Sequence, residues 1–285
     1  MTLRNILVPI LPKVAAETQL DAALQFSRCA AMHIDAVFVR PDPSVLLATM
    51  PDMAIASGVT FDAIEEEYRR EEKVAHAAFE VWRATNGVAS ALADHNLDTT
   101  VAGWSDEKGY PEAIAVRRGR LSDIIVVNRE GSEPTSAEPI VDAVLFDSGR
   151  PVVVVPPKLP ANILDHVLVA WNGSLEASRA VAGAMPLLHA ARQVSVFTAA
   201  SHGDDPAVDC DLAEALRWHG ITAECLSPHT EDRSVGEALL RAASERRASM
   251  LVMGGYTHGR VRQMFLGGVT RHVLRHAEIP LLLMH

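Results

Sequence analysis

The sequence lacks the features that would direct it to a membrane or to nucleic acid. Its 285 residues carry a formal net charge of −10, whereas general nucleic-acid binding needs a basic face. The longest apolar runs, PVVVVPP and IPLLLM, are strand-sized and too short to span a bilayer. The start, MTLRNILVPI, shows no apolar segment followed by a small-residue cleavage site. We therefore expect a cytoplasmic protein with no nucleic-acid and no membrane partner.

Signals for metal binding and for common catalytic motifs are also missing. There are three cysteines, Cys29, Cys210 and Cys225. Their number is odd, and no pair has the spacing of metal ligands or of a CxxC motif. The histidines show no HExxH spacing, and neither a GxSxG elbow nor a Walker A sequence occurs. We expect free buried thiols, no metal site and no assignable catalytic residue.

What the sequence does contain is one pattern that occurs twice. Four strand-like segments of the first half recur in the same order in the second half. The matching pairs are RNILVPI and DHVLVAW, MHIDAVFV and RQVSVFTA, SDIIVVNRE and ASMLVMGGY, and SGRPVVVVPP and HAEIPLLLMH. The Pro-rich stretch at 156–165 separates the two sets. We predict one domain over 1–157 and a second over 158–285.

Each half alternates apolar strands with segments of helical periodicity, including a long helix with a charged outer face over 61–82. Continuous apolar strands indicate burial on both faces, which is typical of a parallel sheet covered by helices. Ligands of such sheets bind at the carboxyl ends of the strands, near the point where the strand order reverses. The loops after the first and fourth strands of each half are therefore the candidate sites.

The twofold pattern resembles the universal stress protein family in its tandem, two-domain form, and the resemblance is strongest over 249–285. ATP-binding members of that family carry G-x2-G-x9-G-(S/T) in this segment. The resemblance implies an α/β fold of two tandem, doubly wound, Rossmann-like parallel sheets related by pseudo-two-fold symmetry. It implies five strands in each half, in the order 3-2-1-4-5, with the last strands near the interface between the halves.

The phosphate-binding motif of that family is present here in outline. Gly254 and Gly267 match its first and late glycines, whereas Thr257 replaces the middle glycine and Gly268 replaces the hydroxyl residue. Glycines allow the backbone to approach a phosphate, and the N–H groups at a helix start hold the anion. The alternative is that these glycines serve only a tight turn and a helix start.

A basic segment accompanies the glycines. No Asp or Glu occurs from Gly254 to Ala277, which is unusual in an acidic chain. Arg260 and Arg262 lie in the predicted loop, where guanidinium groups suit phosphate oxygens. Arg271 and Arg275 are four residues apart and would share a solvated helix face.

The turn after the first strand differs between the halves. Nucleotide-binding members of the family have an Asp there; the second half has Asn172, followed by Gly173 and Ser174, which would equally serve as a turn and an N-cap. The first half has Leu11 at that position and Asn128 in place of Gly254. It also has three acids after its fourth strand that would repel phosphate, namely Glu130, Glu133 and Glu138. We predict that only the second half retains a nucleotide site, formed by Asn172, Gly254, Thr257, Arg260, Gly267, Gly268, Val269 and Thr270.

The resemblance implies a stress-associated regulatory or interaction protein without strong catalysis. The alternative is an adenine-nucleotide (ATP or AMP) binding protein that uses the second half. A slow ATPase is a third hypothesis, although the loop supplies no obvious carboxylate base. We expect protein partners or a nucleotide as ligands. The halves would form an intramolecular pseudo-dimer, and a homodimer of the chain stays open.

Overall fold

The structure, a computed structural model, describes residues 3–44, 60–91, 98–129, 138–198, 211–226, 234–255 and 268–285. Strands and helices alternate along both halves of the chain. The first half contains β1 (Asn5–Ile10), α1 (Glu17–Phe26), β2 (His33–Pro41), α2 (Phe61–Thr85), β3 (Ala89–Ser90), β4 (Val101–Gly109), α3 (Pro111–Gly119), β5 (Ile124–Asn128), α4 (Glu138–Asp147) and β6 (Val152–Val155). The second half contains β7 (His166–Ala170), α5 (Leu175–Ala190), β8 (Gln193–Phe197), α6 (Asp211–Trp218), β9 (Ala223–Leu226), α7 (Val235–Glu245), β10 (Met250–Gly254), α8 (Gly268–His276) and β11 (Leu281–Met284).

The eleven strands form one sheet in the order β3-β4-β2-β1-β5-β6-β11-β10-β7-β8-β9. Within each half the pairing is parallel, and β4-β2-β1-β5-β6 and β9-β8-β7-β10-β11 both reproduce the predicted order 3-2-1-4-5. The two-residue β3 is an addition at the edge of the first half. The α/β fold class and the strand order are confirmed.

The two predicted sheets are joined where β6 pairs with β11, and this pair is antiparallel. At the centre of the seam Val153 lies opposite Leu282, and both side chains are fully buried. Antiparallel pairing of equivalent strands is the result expected for a two-fold axis between the halves. It also removes two apolar sheet edges that would otherwise present unpaired backbone groups.

The core lies on both sides of the sheet and continues across the seam. One apolar cluster contains Ile6, Val153 and Leu282 on one face, and a second contains Leu7 and Leu281 on the other. This placement follows from the period of two along buried strands, which sends neighbouring side chains to opposite faces. The proposed domain boundary at 157/158 stays a prediction, since the core itself shows no gap there.

The linker after β6 is anchored rather than loose. Gln25 of α1 donates from Nε2 to the carbonyl of Pro160 (3.2 Å), and its Oε1 accepts from the backbone N–H of Ile163 (2.8 Å). Ile163 and Leu164 are buried in the core. The linker therefore fixes the first half against the start of the second.

One expectation about the cysteines is wrong. Cys29 is a free, half-buried thiol as expected, and burial raises its pKa. Cys225 in β9 is disulfide-bonded, and Cys210 lies outside the described residues. Disulfide formation depends on proximity in the fold, which the spacing along the sequence does not reveal. No helix in the described ranges is long and apolar enough to cross a membrane.

Candidate functional site

The candidate site lies at the carboxyl ends of β7 and β10. These strands are parallel neighbours, with Val252 opposite Val169, so their ends lie side by side. Asn172 follows β7, Gly254 ends β10, and Gly268, Val269 and Thr270 begin α8. The other predicted residues, Thr257, Arg260 and Gly267, lie outside the described residues.

The turn after β7 is closed by its own side chains. The Oδ1 atom of the exposed Asn172 accepts a hydrogen bond from the backbone N–H of Ser174 (3.1 Å). Gly173 has φ +69°, a conformation that favours glycine. Ser174 then caps α5, since its Oγ accepts from the N–H of Ala177 (3.2 Å). One of the two acceptor lone pairs of the Asn172 oxygen is thus engaged within the turn.

The first glycine of the motif is required by packing. A Cβ atom built on Gly254 would lie 2.6 Å from the backbone nitrogen of Ala177 and 2.8 Å from the carbonyl carbon of Glu176. A Cβ on Gly255 would lie 3.1 Å from Leu145 of α4, in the other half. The double glycine after β10 therefore makes room for one helix from each half, a structural role that needs no ligand and differs from the expected tight turn.

At the start of α8, by contrast, packing does not require a glycine. Gly268 is exposed, and a Cβ built on it meets no atom within 4 Å. Val269 is half-buried, and Thr270 is buried. No described neighbour requires glycine at this helix start, so a hydroxyl-bearing residue would fit at Gly268.

The arginines of α8 point to a solvated face. Arg271 and Arg275 are both exposed. On the same helix the ring of His272 stacks on that of His276 (4.3 Å between centroids) and lies against Gly236 of α7. Arg262 lies outside the described residues.

Sequence reasoning missed one acidic residue beside the site. Glu176 is half-buried in the first turn of α5, and its Cβ lies 2.9 Å from the position of a Cβ built on Gly254. The acid-free segment covers residues 254–277, whereas Glu176 approaches from a different segment. Its place two residues after the N-cap Ser174 was the available signal, since acids favour the first helical turn.

The equivalent end of the first half has different chemistry. Leu11 is buried at the position of Asn172. Asn128, at the position of Gly254, donates from Nδ2 to the carbonyl of Ala15 (3.1 Å). Glu130 and Glu133 lie outside the described residues, and Glu138 begins α4. A cavity of about 400 Å³ opens beside Leu11.

A buried polar network lies at the opposite, amino-terminal end of β7. His166 Nδ1 donates to the carbonyl of Arg246 (2.9 Å), because that oxygen can only accept, which leaves Nε2 to accept from the Ser195 hydroxyl (2.8 Å). Ser249 accepts from the His166 backbone N–H and donates to the carbonyl of Ile163, each at 2.8 Å. Every ring atom able to hydrogen-bond is satisfied, so this histidine fixes strand starts and takes no part in the candidate site.

The first half uses an ion pair at the corresponding place. Asp35 of β2 lies 3.3 Å from the guanidinium of Arg118, which also donates to Ser105 (2.6 Å). Burial raises the pKa of Asp35, and the positive charge of Arg118 partly opposes that shift.

The sequence of the second half matches the model of the universal stress protein family over residues 164–285. Residues 164–285 are therefore similar to universal stress protein domains. A universal stress protein of Synechocystis sp. is 26% identical over 172 residues, which is 56% of this chain and only 57% of that protein.

The universal stress protein fold extends over the whole chain. The structure of a universal stress protein from Archaeoglobus fulgidus superposes with a TM-score of 0.72 at 18% identity and covers 100% of this chain and 99% of its own. A putative universal stress protein from Pseudomonas aeruginosa gives 0.54 at 16% identity and covers 99% and 93%. The resemblance to tandem universal stress proteins is confirmed, with these two structures bearing on the fold alone.

Proposed function

We propose that this stress-associated protein acts by binding and regulation, through partners or a ligand, and does not turn over ATP as an enzyme. The closed turn at Asn172 carries the proposal, because the acidic side chain of nucleotide-binding family members is replaced there and the remaining oxygen bonds to Ser174. We retain a cytoplasmic location as part of the proposal.

Two measurements test it. Freshly purified protein is denatured, and any released small molecule is identified by mass spectrometry. ATP turnover is then measured with the intact chain, and we expect a rate far below about 1 per second, the lower range of typical enzymes. A rate of that order that is lost in a Gly267→Val variant would refute the proposal.

Adenine-nucleotide binding by the second half is the second candidate, and the open space at Gly268 favours it. The N–H groups at the start of α8 would contact phosphate. A serine at this position would add one hydrogen bond, worth roughly 0.5–1.5 kcal/mol. We expect Gly268→Ser to tighten ATP about threefold to tenfold in calorimetry.

The matched control for that experiment is Ala77→Ser, which adds a hydroxyl to an exposed position of α2 in the other half. It should leave ATP affinity unchanged. If Gly268→Ser has no effect, or if ATP binds the first half instead, the nucleotide site does not lie at the start of α8.

A further inference from the structure

The cavity in the first half lies at the carboxyl ends of β1 and β2, under helices α1 and α2. Leu11 and Phe38 form its base, Leu20 comes from α1, and Phe79 comes from α2. Its volume of about 400 Å³ falls within the range of pockets that take small organic molecules, about 300–1,000 Å³. Parallel α/β sheets bind ligands at this end of their strands.

The aromatic walls of the cavity are fixed by packing. Phe79 and Phe38 both pack on the ring of Trp104, with centroids 5.2 Å and 6.0 Å apart. Trp104 is itself held, because its Nε1 donates to Glu72 (3.1 Å). A site whose aromatic walls are already ordered loses little side-chain entropy when a ligand enters.

Charged side chains line the cavity in equal numbers of each sign: Lys13 and Arg70 are positive, and Glu17 and Glu71 are negative. Lys13 Nζ lies 3.5 Å from Glu71 Oε1, and the charge of Glu71 raises the pKa of Lys13. A balanced set of charges attracts neither an anion nor a cation as a whole.

One polar atom at the cavity lacks a partner. The Oε2 atom of Glu71 is enclosed and accepts no hydrogen bond from any described residue, although Oε1 of the same carboxylate faces Lys13. An enclosed carboxylate oxygen without a donor is costly. Because this oxygen has no accessible surface, an O–H or N–H group of a ligand would reach and satisfy it after the half-buried Glu71 side chain rotates toward the cavity.

We propose that this cavity binds a small, uncharged, mainly aromatic or aliphatic molecule whose single hydroxyl or amine hydrogen is donated to Glu71 Oε2. The apolar walls select the body of the ligand, and Glu71 selects the donor. The site is separate from the candidate nucleotide site of the second half.

N-phenyl-1-naphthylamine is a suitable fluorescent probe, since it is neutral, aromatic and carries one N–H. We expect saturable one-to-one binding to the intact wild-type chain. Ala75→Phe fills the cavity from α2 and should weaken the probe at least tenfold. The matched control, Ala77→Phe, changes an exposed alanine of the same helix outside the cavity and should stay within twofold of the wild type.

The hydrogen bond is tested with a second probe, 1-benzylnaphthalene, in which a methylene replaces the N–H. Glu71→Leu removes the acceptor and should weaken the amine probe by roughly tenfold, as expected for a hydrogen bond to a charged group. The hydrocarbon probe should keep its affinity for this variant. Equal losses for both probes would overturn the role assigned to Glu71.

Two further outcomes would overturn the binding site itself. One is the absence of saturable binding to the wild type, or binding that Ala75→Phe leaves unchanged. If Ala75→Phe fails to fold, as judged by its unfolding midpoint, Ala78→Leu provides the same test from an exposed lining position.

The second outcome that would overturn the site is binding that occurs only after residues 45–59, which are rich in apolar residues, are replaced by a Gly/Ser linker. That result would assign the cavity to the chain's own segment.

Discussion

The two halves of the sheet share a strand order and differ in the residue that ends the fourth strand and in what it contacts. In the second half, the first turn of α5 rests directly on Gly254. In the first half, Asn128 occupies that position, and its side chain reaches the carbonyl of Ala15 ahead of α1. The first half has a cavity lined by Ala15 and its neighbours. The comparison teaches that a glycine at the end of the fourth strand lets a helix backbone rest directly on it, whereas Asn128 contacts the segment before α1 through its side chain.

A second difference concerns how each half satisfies polar groups inside its second strand. Asp35 lies opposite Leu7, and Ser195 lies opposite Leu168, so the two polar residues are topologically equivalent. The first half pairs its residue with the guanidinium of Arg118, whereas Ser195 hydrogen-bonds to a histidine ring. The same position therefore carries charge in one half and an uncharged hydroxyl in the other.

The largest effect should come from breaking the seam that joins the halves. Val153→Asp places a carboxylate in a fully buried position opposite Leu282 and should lower the free energy of unfolding by more than about 4 kcal/mol. Because the core crosses the seam, both halves should lose stability in one transition of a denaturant titration. Val81→Asp, on an exposed position of α2, is the control and should cost less than about 1 kcal/mol. Two separate transitions, with one half unaffected, would show that the halves fold as independent domains.

A smaller effect should separate the two glycines of the motif. Gly254→Ala forces the first turn of α5 away from β10 and should cost about 1–3 kcal/mol in unfolding free energy. The added methyl group of Gly268→Ala meets open space, so the unfolding free energy should stay within about 1 kcal/mol of the wild type. Because alanine favours a helical position over glycine, we expect any change to be stabilising. Chemical denaturation of both variants gives the comparison. Equal costs would mean that α5 yields easily and that Gly254 is not fixed by packing.

The smallest effect is a pH dependence of the unfolding free energy that arises from Asp35 in the first half. The pKa of Asp35 is raised in the folded state, so the native protein binds this proton more tightly than the unfolded chain does. Stability from this group is present below the ordinary aspartate pKa of about 3.9 and is lost as pH rises through the raised value. The unfolding free energy of the wild type minus that of Asp35→Asn should therefore fall across this window.

Ser195→Ala serves as the comparison in the second half and should show no such slope from its own position, since the hydroxyl does not titrate. A difference between wild type and Asp35→Asn that is constant with pH would mean that Arg118 compensates the burial of Asp35 completely.

The fold followed from the sequence because its signal is repeated and local. Continuous apolar strands between helical segments predict a parallel sheet, and two copies of the pattern predict the shared strand order. The antiparallel pairing of β6 with β11 fits the expected interface, although the sequence alone did not show that the two sheets are continuous.

The site was less predictable because it depends on contacts between distant segments. A glycine-rich loop suggested phosphate, whereas the glycine at 254 is needed for contact with Ala177 and Glu176, more than seventy residues earlier. Spacing along the chain also missed the acid at Glu176 and the disulfide at Cys225. Asn128 stands in place of a glycine of the motif. Its hydrogen bond to the carbonyl of Ala15 joins distant segments, so the sequence alone does not reveal it.

The seam between β6 and β11 also changes how the two halves are able to evolve. Since one polypeptide carries both strands, their association is unimolecular and does not weaken on dilution, unlike that of two separate chains. An identical pair must keep every interface residue compatible with its own copy. A fused pair is released from that constraint, so a mutation on one side of the seam is answered by a different residue on the other. This freedom allows one half to keep a glycine at the end of its fourth strand while the other acquires Asn128.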